Sequence, residues 1–289
     1  MEIVFIFNGL GNQMSQYSFY MAKKKRSMFS FALYDKSSIH EHNGYELDKA
    51  FGIISNKLLQ NVLYWIFVYW NGNKYIRPLL NPFVCLIKEP LNYDYTPSLL
   101  CKGKKLFNYY WGGWHSEKYF SEYRSELLET FSFKKDIMGK ENTMWERIIK
   151  SDLQSVSIHV RRGDYTHISK DDYYQFNDVA TIEYYKKAIC YIKKHIDTPP
   201  FFVFSDDPQW CRELFHEKNF TFIDYNTGLM SKYDMYLMSL CRHHINANST
   251  FSWWGAWLCK YEDSIVIVPK DFIRGVLTKD LYPEKWIKI

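Results

Sequence analysis

The stretch SVSIHVRRGDY, residues 155–165, decides how the rest of the chain is read. Its first six positions read as a strand, and the next four set Arg161, Arg162, Gly163 and Asp164 directly on the strand's end. Open α/β sheets bind their ligands beyond the carboxyl ends of their strands. If strands and helices alternate around this stretch, its charges therefore mark a site.

They do alternate. TIEYYKKAICYIKKH (181–195) has helical periodicity, FFVFS (201–205) is a strand, and the SDDP that ends it is a helix cap with proline in the first turn. FTFID (220–224), HHINAN (243–248) and SIVIVP (264–269) are further strands, separated by the helices YDMYLMSLCR (233–242) and TFSWWGAWLCK (250–260). Upstream, EIVFIF (2–7) is a strand, NGLGN (8–12) a loop, QMSQYSFYMAKKKR (13–26) a helix with a basic last turn, and FSFALY (29–34) a second strand. Residues 43–150 are less regular, with helices near 55–70, 120–131 and 140–150, a strand LFNYYW (106–111), an aromatic-lined loop in WGGWHSEKYF (111–120), and a loop-rich interval carrying Pro78, Pro82, Pro90 and Pro97. The pattern predicts an α/β protein of two domains, 1–150 and 151–289, facing one cleft.

Composition bounds the function. The 289 residues are 47% hydrophobic and 24% charged, as in an ordinary globular protein, but 19% are aromatic, which favours a ligand with a flat or sugar-ring face. A net charge of +5 suits an anionic ligand or acidic membrane surface, and its dispersal along the chain disfavours a nucleic-acid binder. The six cysteines have no short spacing and read as free core thiols, so neither a disulfide framework nor a structural zinc is expected. EIVFIF is too short for a signal segment, which points to the cytoplasm. The most apolar run, LLQNVLYWIFVYW (58–70), falls short of the ~20 residues a bilayer demands. It reads as a buried helix, with an interfacial membrane-docking helix as the alternative.

Four groups follow strands: NGLGNQ (8–13), HVRRGDY (159–165), FSDDP (204–208) and INANSTFSWWG (245–255). If the strand persists, Arg161 and Arg162 face opposite sides. One then enters the site and the other pairs locally, for instance with Asp164. An arginine fork suits bidentate phosphate binding, and its alternative is a strand-end ion pair with no ligand. His159 is either part of the site or a satisfied core imidazole. NSTF opens a helix, whose N–H groups and the hydroxyls of Ser249, Thr250 and Ser252 can receive a phosphate; alternatively Ser249 is a plain cap. Together an arginine and a helix start would make a diphosphate site with no metal. Gly9 and Gly11 lack the third glycine of a dinucleotide fingerprint, position 14 being Met, and instead suit a tight loop that brings Asn12 close to a ligand. Asp206 and Asp207 read as caps, with general bases or metal ligands as the alternative; Asp234 reads as a surface carboxylate in a helix's first turn, and Trp253, Trp254 and Trp257 as core.

The order and spacing of GLGNQMSQY, HVRRGDY and NSTFSWWGAW resemble the bacterial α-1,2-fucosyltransferases of glycosyltransferase family 11, over nearly the whole chain. The resemblance implies a GT-B-like pair of Rossmann-type domains, the second binding GDP-β-L-fucose and the first on the acceptor side, with inversion at the anomeric carbon and no metal. It implies that Arg161 clamps the β-phosphate with Arg162 nearby, that His159 lies close to the guanine, and that Asp234, spaced as D-x-x-x-x-S with Ser239, accepts from the base. Asn248, Ser249, Thr250 and Phe251 fall on the stretch that meets the pyrophosphate. Gly11 and Asn12 fall on the loop that faces the reaction centre. Ser169 stands where related α-1,6 enzymes carry a glutamate, so the base is not transferred; Asp164, His167, Asp171 and Asp172 lie on the same loop, and Asn12 with a water is the other route for the proton. The expected function is transfer of fucose to the 2-hydroxyl of a terminal β-galactoside in a surface glycan, with a galactose-terminated acceptor and possible peripheral membrane contact. The alternatives are another linkage or GDP-sugar, or an inactive glycan- or nucleotide-sugar-binding module.

Overall fold

A computed structural model describes residues 1–34, 43–163 and 176–289. The chain forms two compact units, Met1–Lys134 with Lys279–Leu281, and Lys135–Thr278 with Tyr282–Ile289.

The first unit is built on β1 (Glu2–Ile6), α1 (Leu10–Arg26), β2 (Ser30–Tyr34), α2 (Leu47–Phe51), α3 (Lys57–Gly72), α4 (Ile76–Leu80), β3 (Val84–Lys88), β4 (Phe107–Trp111) and α5 (Arg124–Thr130). Its four strands are parallel in the order β2-β1-β4-β3. β1 is buried at every position, as a central strand covered on both faces must be. The basic end of α1 does not simply sit at the helix dipole: Lys23 turns inward, where its ammonium meets Glu2 at 3.0 Å and donates to the carbonyls of Leu99 and Cys101 and to the Tyr110 hydroxyl. Burial lowers the Lys23 pKa even beside its partner. Near the end of the chain Asp280 returns to this unit, accepting from Lys118 Nζ at 2.7 Å and from the Tyr95 N–H at 3.1 Å.

The second unit contains α6 (Lys140–Ser151), β5 (Val156–Val160), α7 (Ile182–His195), β6 (Phe201–Ser205), α8 (Pro208–Leu214), β7 (Phe220–Ile223), α9 (Lys232–Leu240), β8 (His243–Ile245), α10 (Thr250–Trp257), β9 (Val266–Val268) and β10 (Ile287–Lys288). All six strands are parallel, in the order β10-β9-β8-β5-β6-β7. Counted from β5 this is 3-2-1-4-5-6, the doubly wound order, with its topological switch between β5 and β8. Trp253, Trp254 and Trp257 are buried as expected, and α10 packs closely on α9 at Gly255, where an added Cβ would come within 3.1 Å of Met238 Cβ.

Three expectations need correction. The units divide at 134/135, not near 150, because α6 is tied into the second unit by Asn142 to Asn226, Glu146 to Tyr236, and Trp145 against Phe202. The run 58–70 is not a buried helix: only Leu63 and Trp70 of α3 are buried. Of the cysteines, Cys211, Cys241 and Cys259 are core thiols, whereas Cys101 and Cys190 are exposed.

Candidate functional site

In the second unit the switch point collects the sequence groups. β5 ends at Val160, which pairs with Ser205 of β6, so the residues following each strand lie side by side. Asp206 brackets the turn after β5. Its carboxylate accepts the N–H of Arg162 at 2.8 Å and of Gly163 at 3.1 Å and meets Arg161 Nη1 at 3.2 Å. Asp207 caps α8 by accepting the Trp210 N–H at 3.1 Å and also meets Arg162 Nε at 3.1 Å. The Arg162 guanidinium stacks 4.3 Å from the centre of the Trp210 ring. The two arginines therefore differ. Arg162 meets a carboxylate and an indole together, whereas Arg161 meets the Asp206 carboxylate through its guanidinium tip.

Asp207 is the cap that the sequence suggests, and Asp206 and Asp207 are in addition the arginines' partners, a pairing over 44 and 45 residues with no local signal. Asp164, with His167, Ser169, Asp171 and Asp172, lies outside the described residues.

His159 is buried, its ring 5.7 Å from that of Phe251 at the start of α10. Burial, and then the charge of Arg161, lower its pKa to about 3, so the imidazole is neutral. It is not a satisfied core histidine: Nδ1 is buried without a hydrogen-bond partner. Asn246, one residue past β8, is the same case, with an unpartnered buried Nδ2. Neighbouring orphaned polar atoms at a sheet edge call for a ligand or water, and no motif or spacing separates Asn246 from its neighbours.

Ser249 is the N-cap of α10, its Oγ accepting the Phe251 N–H at 3.3 Å, and Thr250 is the first, half-buried residue of the helix. Ser252 is not available to a phosphate, because it is buried and donates to the carbonyls of Ala247 and Ser249. Asn248 spends its amide on the carbonyls of Phe176 and Phe272, both at 3.0 Å, and so shapes the loop before α10.

Asp234 is no surface carboxylate. It accepts from Asn226 Nδ2 at 2.7 Å, and Asn226 and Asn142 are paired reciprocally through their amides at 2.9 Å, with Tyr225 donating to Asn142 at 3.0 Å. Burial raises the Asp234 pKa to about 8 against the pull of Asn226. An acid poised there ionises readily once a donor group reaches it.

In the first unit the central strands β1 and β4 are parallel neighbours, so the residues that follow them share the carboxyl edge of the sheet. The expected Gly-rich loop is mostly helix: α1 begins at Leu10, Gly11 and Asn12 lie in its first turn, and the left-handed residue is Asn8 (φ 61°) rather than a glycine. Gln13 holds the turn, donating to the carbonyls of Asn8 and Gly44 at 2.6 and 2.7 Å and accepting the Glu46 N–H at 2.9 Å. Gln16 accepts the Phe7 N–H at 2.8 Å and donates to the Gly112 carbonyl at 3.1 Å, tying β1 to the loop after β4.

In that loop Trp114 is not a ligand platform but core, stacked 4.3 Å from Phe19. Its backbone (φ 54°) is held by buried Glu89, which accepts the N–H of Gly113 at 2.7 Å and of Trp114 at 2.8 Å. Burial raises the Glu89 pKa to about 8 against those two N–H groups. His115, which meets Ser15 Oγ at 3.1 Å, is likewise neutral, its pKa lowered by burial to about 3. Gly113 is required because a Cβ would lie 2.1 Å from His115 Nε2.

Comparison with known proteins follows the geometry. The family model for glycosyl transferase family 11 matches residues 89–289. An α-1,2-colitosyltransferase of Escherichia coli is 34% identical over 97% of this chain and 96% of its own length. The O-antigen biosynthesis glycosyltransferase WbnK of the same organism is 31% identical over 97% and 98%. Among solved structures, the fucosyltransferase NodZ from Bradyrhizobium superposes with a TM-score of 0.54 over 89% of this chain and 92% of that one, at 13% identity, a likeness of fold that makes the architecture GT-B-like. Through the family match and two relatives aligned almost end to end, the chain belongs to glycosyl transferase family 11, whose members move a sugar onto an acceptor.

Proposed function

We propose that the protein transfers L-fucose from GDP-β-L-fucose to the 2-hydroxyl of a terminal β-galactoside, with inversion and without a metal. The observation that carries this reading is the placement of Arg161 and the Ser249–Phe251 helix start after β5 and β8, the two strands that flank the switch point.

As the bond from fucose C1 to the β-phosphate stretches, negative charge grows on GDP. The Arg161 guanidinium leaves Asp206 for the diphosphate, and the first-turn N–H groups of α10 add their dipole. Two fixed positive ends on one diphosphate leave a metal little to contribute. His159, neutral and unsatisfied at Nδ1, and Asp234 receive the guanine, the carboxylate accepting from the base; Asn246 offers its unpaired amide to the same ligand. Asn12 positions the acceptor, and Asp164 takes the proton of its hydroxyl.

The colitosyltransferase relative favours one second reading, in which the donor is GDP-colitose, a fucose analogue lacking the 3-hydroxyl. The O-antigen biosynthesis relative favours assembly of a surface polysaccharide, and the cytoplasm is the place proposed for the reaction. The test offers GDP-fucose and GDP-colitose separately with β-galactoside acceptors, in EDTA, followed by linkage analysis of the product. Formation of an α-1,2-fucosyl product in EDTA is expected. Preference for GDP-colitose would replace the donor, dependence on added metal would remove the mechanism, and GDP binding without transfer to any acceptor would leave a binding module.

A further inference from the structure

Helix α3 carries two apolar stripes. One, including Leu59, Leu63 and Trp70, packs onto the sheet of the first unit with Ile3, Phe5 and Tyr109. The other, Leu58, Val62, Trp65 and Tyr69, repeats along a separate face and stays between 50% and 76% exposed. A surface helix ordinarily covers that face with polar side chains, but from Leu58 to Asn73 there is no charged residue. The patch continues through exposed Tyr75, just before α4, through Leu79 of α4 and through Phe83 and Leu106, and encloses an open groove of about 770 Å³ between α3 and α4. So large an apolar surface marks an interaction site.

What surrounds it identifies the partner. Lys57, Lys74, Arg77, Lys104 and Lys105 are exposed around the patch, and between Gly52 and Tyr93 the single acidic side chain is Glu89, which is buried. We infer that this face docks the first unit on an anionic phospholipid surface, with Trp65, Tyr69, Tyr75 and Phe83 at headgroup depth and the cations on the lipid phosphates. Tryptophan and tyrosine bring an apolar body and a polar edge to that depth, and basic side chains add their attraction to anionic lipid. No described helix is long and apolar enough to cross a membrane, so the contact is peripheral. A second copy of the chain fits less well, because a symmetric contact would set the same lysines against each other. Phe83 and Leu106 directly precede β3 and β4, which puts this part of the patch at the amino end of the sheet. The Asn8–Asn12 turn and the Gly112–His115 loop, at the carboxyl end, are left uncovered by the docking.

The test is co-sedimentation of the full chain with vesicles of phosphatidylcholine containing phosphatidylglycerol, against vesicles of phosphatidylcholine alone. Binding is expected to the anionic vesicles and to weaken with added salt. The exposed-site variant Trp65→Ser/Tyr69→Ser should abolish it. The charge reversal Lys104→Glu/Lys105→Glu should weaken it by about 20-fold or more, at roughly fivefold for each cation near the surface. Both variants should keep the wild-type thermal melt. Absence of binding, or binding that neither variant changes, overturns the inference. So does concentration-dependent dimerisation lost in Trp65→Ser/Tyr69→Ser without vesicle binding, which would give the face to a second copy.

Discussion

Both units are parallel α/β sheets, yet the carboxyl edge of each carries opposite chemistry. In the second unit it holds charge near solvent: Arg161 on Asp206, Arg162 on Asp207, beside a capped helix start. In the first it holds neutral or protonated groups, Gln13, Gln16, Glu89 and His115, spent largely on the unit's own backbone, while the charge pair, Lys23 with Glu2, is buried away from that edge. Under the proposed function, the cations after β5 assign the diphosphate to the second unit. The difference in charge teaches which unit is suited to an anion.

The largest expected effect tests whether the first unit's charge is structural. Lys23→Met leaves Glu2 buried and uncompensated and should cost about 3–5 kcal/mol in a urea melt. Adding Glu2→Leu should restore most of it, with unchanged turnover per folded molecule; a loss of turnover would place this pair in function and break the contrast.

Next come the two arginines. Arg161→Ala should lower kcat by about 10²–10³ with the melt little changed. Arg162→Ala, which removes the stack on Trp210, should reverse that order and lower stability more than turnover. Equal losses from both would end the distinction between clamp and support.

The third concerns pH. Unfolded histidine titrates near 6.5, but folded His159, His244 and His115 are held to about 3 by burial. Between those values the unfolded chain binds more protons, so stability falls as pH falls, by about 1.4 kcal/mol per pH unit for each histidine that stays buried. His159→Phe should remove one histidine's share of that slope in melts taken from pH 6.5 down to 4; an unchanged slope would show that His159 is solvated. Asp234 gives an effect on binding that also grows with pH. Raising pH through about 8 ionises it, so GDP binding measured by calorimetry should tighten with rising pH in the native protein but not in Asp234→Asn.

The smallest effect is Glu146→Gln. Burial pushes this carboxyl up, but hydrogen bonds from Lys135, Lys150 and Tyr236 outweigh it and hold the pKa at about 2. Its contribution, about 1 kcal/mol for such a partly exposed network, is present above the ordinary carboxylate range and is lost as pH falls towards 2. Native and variant melts should converge there.

The second unit was legible, β10 apart, because each of its other strands is a short apolar run closed by punctuation, and because HVRRGDY and NSTF stand where strands end. β3 was not: VCLIK sits between Pro82 and Pro90 and is recognisable only through its neighbour β4. The site residues themselves were readable as types, while their partners were not. Asp206 reaches Arg161 from the next strand, Gln13 reaches Gly44 across 31 residues, and Asn142 joins the cluster at Asp234 through Asn226 across 84. Such contacts are properties of the fold, and no local pattern encodes them. The double stripe on α3 misled for the same reason, since apolar spacing cannot say that only one stripe is covered.

The return of Asp280 to Lys118 and Tyr95 has a consequence for how the protein is made. These contacts close over separations of 162 and 185 residues, so a nascent chain that has emitted the whole of 1–134 still lacks a piece of its first unit. Domains ordinarily fold in order as they leave the ribosome; here the first unit finishes only after nearly all of the second has emerged. A single cut near residue 134 would therefore not release an intact first unit.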